Sequence, residues 1–490
     1  MQYRSIDDMM AEGRLLYRQA LAERDTSEQQ FRVLASRAEY VFNEVLNRAN
    51  SADAVFCLGL LYMDYGFHAL GIMLLHAVTE AHPEFAPGWG ALGVALKKEQ
   101  HESQAVAAFE RAEALMLDES ARASRVDIIA NLAGCYINTG DPGTALRHTD
   151  RGLALSPAHA ALRWHKALAL LELQRWGEAW PLHEARMDGE AGCTFKHRTY
   201  PGDPPYWDGK SAGLIAVHGE QGLGDEIMFA SCLPDAFAVP GTQWVIEPNP
   251  RLQGLFARSF QQARVVGTHK RDGSDSLRDG ERFDFKIALG SLPKFFRRAE
   301  PFPGKPYLVA DPVRQETYRQ KLAALPNRPN IGITWQGGAR TTRVDLRSVM
   351  LGDVWLPLLR QDVNWISLQY SRLAADECLA FEDKSGIKIH HWPEAATGGD
   401  DMDDQAALVA GLDMCVMVCQ TGVHVAGALG VPTLVLTPSG PSWRYGVTGN
   451  MPWYDSVSLR RRVKGEPWSE VIERVAAEVD AVLAKHREAA

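Results

Sequence analysis

Apolar positions recur with two different periods along the chain, and the change from one to the other divides it. In the first 190 residues they fall at helical spacing. Gly59 and Gly93 lie 34 residues apart, inside FCLGLLY and WGALGVAL, which alternate small and large side chains in the same order. NLAGCY puts Ala133 at the small position, and Ala167 follows 34 residues later. Tyr62 and Tyr136 share one large-residue position, which Leu96 and Leu170 fill elsewhere. Pro83 and Pro157 each stand 24 residues beyond their small residue, where a second helix should stop.

A 34-residue period with this alternation predicts tetratricopeptide hairpins over 51–190. In such a stack the small residues let paired helices approach, and the large ones fill the space between neighbouring pairs. The step from Gly93 to Ala133 is 40 residues, so one connection must absorb six extra. Residues 1–50 read as an N-terminal helical extension.

Beyond residue 190 the periodicity is lost. A Pro-, Gly- and aromatic-rich stretch (RTYPGDPPYWDGKSAG) predicts a docking linker over 191–212. Short β-prone apolar runs then alternate with helical stretches. GLIAV, QWVIE, ARVVG and FKIAL fall in 213–325, and NIGITW, WISLQY, IKIHHW, DMCVMV and PTLVLTP fall in 326–490. Runs of four to six apolar residues followed by polar or Gly-rich turns predict parallel sheets covered by helices. Two such halves in tandem predict two Rossmann-like domains with a cleft at the carboxyl ends of their strands. The tail from Pro467 reads as an amphipathic helix.

Composition narrows the function. The chain has 490 residues, 46% hydrophobic and 23% charged, which fits several globular cores. A net charge of -9 argues against a nucleic-acid partner. No apolar run approaches the roughly 18 residues needed to span a bilayer, and acids stand where a signal peptide would be basic, so a cytoplasmic location is expected. Seven scattered cysteines read as buried thiols, and no zinc-ligand spacing accompanies Cys415 and Cys419.

Candidate chemistry concentrates in three stretches. HGEQGLGDEIMFAS places Gly222, Gly224, Asp225 and Glu226 where the strand GLIAV should turn into a helix, without the Lys-Ser/Thr ending of a P-loop. In QTGVHVAGALG, Gln420, Thr421 and Gly422 follow the β run DMCVMV and a small-residue helix starts near His424, where free N–H groups attract phosphate. GGARTTRVDLRSV brings Arg340, Arg343 and Arg347 onto one loop, enough to grip phosphate or carboxylate. The acids of GGDDMDDQAALV read as helix-capping rather than metal-binding.

The repeats together with GEQGLGDEIMFAS, HVAGALGVPTLVL, SWRYG and MPWYD resemble the bacterial tetratricopeptide glycosyltransferases with a GT-B, heptosyltransferase-like catalytic part, over about residues 50–460. Within them the chain looks most like the flagellin glycosyltransferases. The resemblance implies a helical array that holds flagellin and a GT-B part that attaches a nonulosonic acid such as pseudaminic acid from a CMP-linked donor. It further implies that Asp225 is the general base, with Glu226 in reserve. Gln336, Arg347, Ser348, Gln369, Gln420, Thr421, Gly422, His424, Trp443 and Arg444 would serve the donor, with Gly222 and Gly224 shaping the loop. Relatives commonly carry Asp where this chain has Cys419, which fits a donor sugar that bears its own carboxylate. The transfer implied is inverting, with no metal and no cofactor beyond the nucleotide sugar. Two alternatives stay open: another acceptor or nucleotide sugar, and an inactive binding scaffold.

Overall fold

The computed structural model describes residues 4–489 apart from 25, 117, 190–194, 196, 270–271, 279, 339–343, 397–400 and 441. The chain forms two compact units, Met1–His165 and Lys166–Ala490.

The first unit is a run of antiparallel helical hairpins. α1 (Ile6–Glu23) pairs with α2 (Glu28–Leu46), α3 (Ala52–Tyr65) with α4 (His68–Ala81), α5 (Ala86–Lys98) with α6 (Glu102–Leu115), and α7 (Arg122–Asn138) with α8 (Pro142–Leu155). The 1–50 extension is therefore itself a hairpin, its helices capped by the Ser5 and Ser27 hydroxyls, which accept from the N–H groups of Asp8 and Gln30. The small positions act as the period requires: a Cβ on Gly59 would lie 2.9 Å from Leu75, and one on Gly93 would lie 2.6 Å from the Phe109 ring. The six extra residues are shared. Ala133 sits four residues deeper in α7 than Gly93 does in α5, and the connection before α7 is two residues longer than the one before α5. α9 (Ala160–Glu172) contains the division between the units.

The second unit begins with the end of α9 and with α10 (Trp176–His183), followed among the described residues by ten strands. These are β1 (Gly213–His218), β2 (Thr242–Glu247), β3 (Ala263–Val265), β4 (Phe285–Ala288), β5 (Asn330–Ile333), β6 (Asn364–Ser367), β7 (Ile389–His391), β8 (Met414–Val418), β9 (Thr433–Thr437) and β10 (Val457–Arg461). All ladders are parallel, in two sheets of order β3-β2-β1-β4 and β10-β9-β8-β5-β6-β7. Counted from its own first strand, the second sheet has the doubly wound order of a dinucleotide-binding fold. The expected fold class, a helical repeat array followed by two Rossmann-like domains, is the observed one.

β10 carries no strong sequence signal. Only Val457 and Leu459 are buried, and Arg460 and Arg461 flank them on an edge strand. The closing helix Trp468–Ala489 buries Val471, Ile472, Val475, Val479 and Leu483 against Ile331, Trp335, Trp355 and Trp365 of the second sheet's core. In the described part of the stretch expected as a linker, Tyr200 and Trp207 are buried, and the Trp207 N–H donates to the Lys286 carbonyl of β4 at 2.9 Å. The six cysteines among the described residues are buried free thiols, and Cys193 lies outside them. Among the described residues no helix is long and apolar enough to cross a membrane.

Candidate active site

Strand order places the site. Order reverses beside β1 in the first sheet and between β8 and β5 in the second, and ligands in open α/β sheets bind outside such switch points. Helix Leu223–Ala230 follows β1 and helix Thr421–Leu429 follows β8, and the two pack against each other. Gly224 permits the approach, because a Cβ there would lie 2.9 Å from His424 Cδ2 and 3.4 Å from the Thr421 Cα. Two helix N-termini, each a source of positive potential and free N–H groups, therefore border one cleft of about 260 Å³.

Eight residues expected from the sequence line that cleft: Gly222, Gly224, Asp225, Arg347, Gln420, Thr421, His424 and Arg444. Asp225 is held twice. Its Oδ2 accepts from the Gly222 N–H at 3.1 Å, capping its own helix, and its Oδ1 accepts from Arg444 Nε. Arg444 reaches over from the loop after β9, donates to Gln221 Oε1 at 3.0 Å and to Ser442 Oγ at 2.6 Å, and lies 4.9 Å above the Trp443 ring. His424 is buried, and burial pulls its imidazole down to about 4, so it is neutral at physiological pH. Its Nδ1 meets the Tyr454 hydroxyl at 3.2 Å, and that hydroxyl lies 3.4 Å from the Tyr307 hydroxyl, which donates to Ile227 O.

Two groups in the cleft have unfilled capacity. Arg347 has no hydrogen-bond or ion-pair partner among the described residues. Gln420 is 8% exposed, and its Nε2 has no hydrogen-bond partner among the described residues. A buried donor without an acceptor is costly, so this side of the cleft favours an anionic or acceptor-rich ligand. Cys419 sits beside them, its thiol pushed up to about 12 by burial.

The other expected residues do not line the cleft. Glu226 points behind it, where its Oε2 accepts from the Asn249 N–H at 2.8 Å and its carboxyl packs at the Gly219 Cα. Burial pushes Glu226 up to about 8, so it is mostly protonated at neutral pH. Gln369 is fully buried: its Oε1 accepts from the N–H groups of Trp335 (3.1 Å) and Gln336 (3.0 Å), and its Nε2 donates to Gln336 O. It thereby shapes the loop after β5, and Gln336 is part of that tie. Ser348 Oγ accepts from the Gly337 N–H at 3.4 Å. Gly337 is forced, since a Cβ there would lie 2.3 Å from Cys419 O. Gly422 gives room to the Gln420 amide, and Trp443 lies in an aromatic cluster under Arg444. Arg340 and Arg343 lie outside the described residues. Asp401 and Asp404 are ion-paired with Arg314 and Asp403 with Arg258, and Asp401 accepts from the Asp403 N–H at the start of helix Asp403–Val409.

Sequence reasoning missed Gly338, Tyr370, Ser442 and Tyr445 in the lining, although each flanks or lies within a stretch already singled out. It also missed a second chamber of about 260 Å³ that shares Tyr370, Gln420 and Thr421 with the first and extends to Arg251, Glu394 and Met402. A groove of about 760 Å³ between α1 and α2 contains none of the expected chemistry.

No known family model matches the chain. It is similar to Protein FlbA of Caulobacter vibrioides (strain ATCC 19089 / CIP 103742 / CB 15), 29% identical over 463 residues that cover 90% of this chain and 74% of that one. Among solved structures it is similar to E. coli ADP-heptose lps heptosyltransferase II, with a TM-score of 0.39, 14% identity and coverage of 56% of this chain and 99% of that one. A mutant of the Thermobaculum terrenum O-GlcNAc transferase gives a TM-score of 0.32 at 15% identity, covering 89% of this chain and 91% of that one.

Proposed function

We propose that the protein is an inverting GT-B glycosyltransferase that moves a sugar from a nucleotide donor to a hydroxyl of a protein acceptor. The observation that carries this reading is the convergence of Asp225, Arg347, the orphan Gln420 amide and two helix N-termini on one cleft at both switch points. The acceptor oxygen attacks the anomeric carbon, and the bond from that carbon to the donor phosphate breaks with its electron pair staying on the phosphate oxygen. The acceptor's proton passes to Asp225. Helix-end N–H groups, Arg347 and Arg444 stabilise the departing phosphate, so the reaction should proceed unchanged with a chelator present.

The finer assignment rests on sequence resemblance and on the neutral, cation-flanked position of Cys419. A donor sugar with its own carboxylate, such as CMP-pseudaminic acid, suits a wall where Cys419 replaces an Asp and Arg347 stands close by. Ser or Thr of flagellin is the acceptor, held by the helical array. Incubating the protein with flagellin and CMP-pseudaminic acid, beside Asp225→Ala, and weighing intact flagellin by mass spectrometry tests the proposal. Sugar addition by the wild type alone supports it; no addition by either protein removes this donor and acceptor pair.

A further inference from the structure

The turn that carries Asp225 contains one unfavourable backbone position. Gln221 has φ +62°, a left-handed conformation that side-chain-bearing residues adopt at a cost, and strain of this kind persists only where the surroundings enforce it. The residue before it, Glu220, is the anchor. Its side chain is 2% exposed, and it accepts from Arg186 twice, Nε to Oε2 at 2.8 Å and Nη2 to Oε1 at 2.6 Å, while its Oε1 also accepts from the Gly290 N–H at 2.8 Å. Gly290 is required for this, because a Cβ there would stand 2.4 Å from Glu220 Oε1.

Arg186 belongs to the short 3-10 turn Glu184–Met187, directly after α10, in a stretch whose sequence reads as part of the repeats. Its side chain is fully buried and is held by the carbonyl of His183 (3.1 Å), Glu184 Oε1 (2.7 Å) and Ser291 Oγ (2.8 Å). α10 is itself fixed to the same domain, with Trp180 Nε1 donating to Arg297 O at 2.7 Å and Trp176 Nε1 donating to Glu300 Oε1 at 2.7 Å. The guanidinium thus grips the turn in a planar, two-bond geometry that a lysine cannot reproduce.

From this geometry we infer that Arg186 is a positioning residue for Asp225: through Glu220 it holds Gln221 in its left-handed conformation and so sets where the Asp225 carboxylate points. The segment after the last repeat helix is then part of the transferase site and not of the acceptor-binding array. The inference rests on Asp225 acting as the base.

The test compares the full chain with R186K, Q221G and the double variant R186K/Q221G. R186K should bind CMP with unchanged affinity, since the donor side of the cleft is untouched, keep its donor KM, and lose about 10- to 100-fold in kcat. Glycine adopts the left-handed conformation freely, so adding Q221G should recover most of that loss. If CMP affinity and kcat fall together and Q221G recovers nothing, Arg186 is merely structural and the inference is wrong. Hydrogen exchange separates this from failure of the transferase reading, because it needs no turnover. R186K should speed exchange at the amides of Gly222, Asp225 and Glu226, and should do so less in the Q221G background. Unchanged exchange there overturns the inference, whether or not the wild type transfers sugar.

Discussion

The two turns that open on the cleft are built in opposite ways. After β1 two carboxylates are matched, Glu220 by Arg186 and Asp225 by Arg444 and its own helix cap. After β8 the turn is neutral and incompletely matched: among the described residues Gln420 Nε2 lacks an acceptor and Arg347, close by, lacks a carboxylate partner. A carboxylate tied at both oxygens is fixed in direction, which suits a group that must meet one proton. Unfilled donors at a helix start, where the dipole favours negative charge, suit a group that must receive an anion. Under the proposed function, this difference puts the proton-handling side in the first sheet and the donor side in the second.

The sharpest way to break that division is Asp225→Asn, which keeps the size of the cap and removes the proposed base. Turnover should fall by about 100- to 10,000-fold while donor affinity is retained; a loss of nucleotide binding in calorimetry instead would put Asp225 on the donor side. Arg347→Ala should do the reverse, weakening nucleotide-sugar binding by about 10- to 100-fold, as expected for a charged hydrogen bond, with the melting temperature unchanged. Gly224→Ala attacks the meeting of the two helices. The added methyl group has no room against His424 and the Thr421 backbone, and a destabilisation of about 1–3 kcal/mol should appear in urea unfolding.

The two helices should also respond to pH, and in opposite directions. Glu226, raised to about 8 in the folded protein, holds a proton there that the unfolded chain releases near 4.5. Its contribution to stability is present below pH 4.5 and is lost as pH rises through 8. Glu226→Gln should therefore melt higher than the wild type at about pH 9, match it at about pH 4, and still transfer sugar. His424, lowered to about 4, stays neutral in the folded protein while the unfolded chain takes up a proton near 6.5. Stability should fall as pH drops from 6.5 through 4, and His424→Gln should remove that part of the acid loss in a melting-temperature profile.

Much of this organisation was legible in the sequence. Repeat phasing works because the small positions are set by close contact, as Gly59 against Leu75 and Gly93 against Phe109 demonstrate. The buried parallel strands stand out as apolar runs because both of their faces are covered, and β10 does not because it is an edge strand with arginines. Eight of the fourteen expected site residues reach the cleft because they lie in the turns directly after β1 and β8 or in the Arg347 and Arg444 loops, which strand order brings together. Glu226, Gln369 and Ser348 do not, and spacing alone could not tell them from their neighbours. Successive residues at a helix start point in different directions, and which of them faces ligand depends on the element packed opposite.

The two periodicities, the chain order of the elements and the turns that bear chemistry follow from local spacing and backbone preference and so can be read along the chain. It takes packing to bring Arg444 to Asp225, to bury Glu226 so that it is mostly protonated, and to close Arg186 on Glu220. Those pairings join residues 34 to 219 positions apart, and burial, which fixes their charge and direction, is a property of the packed chain.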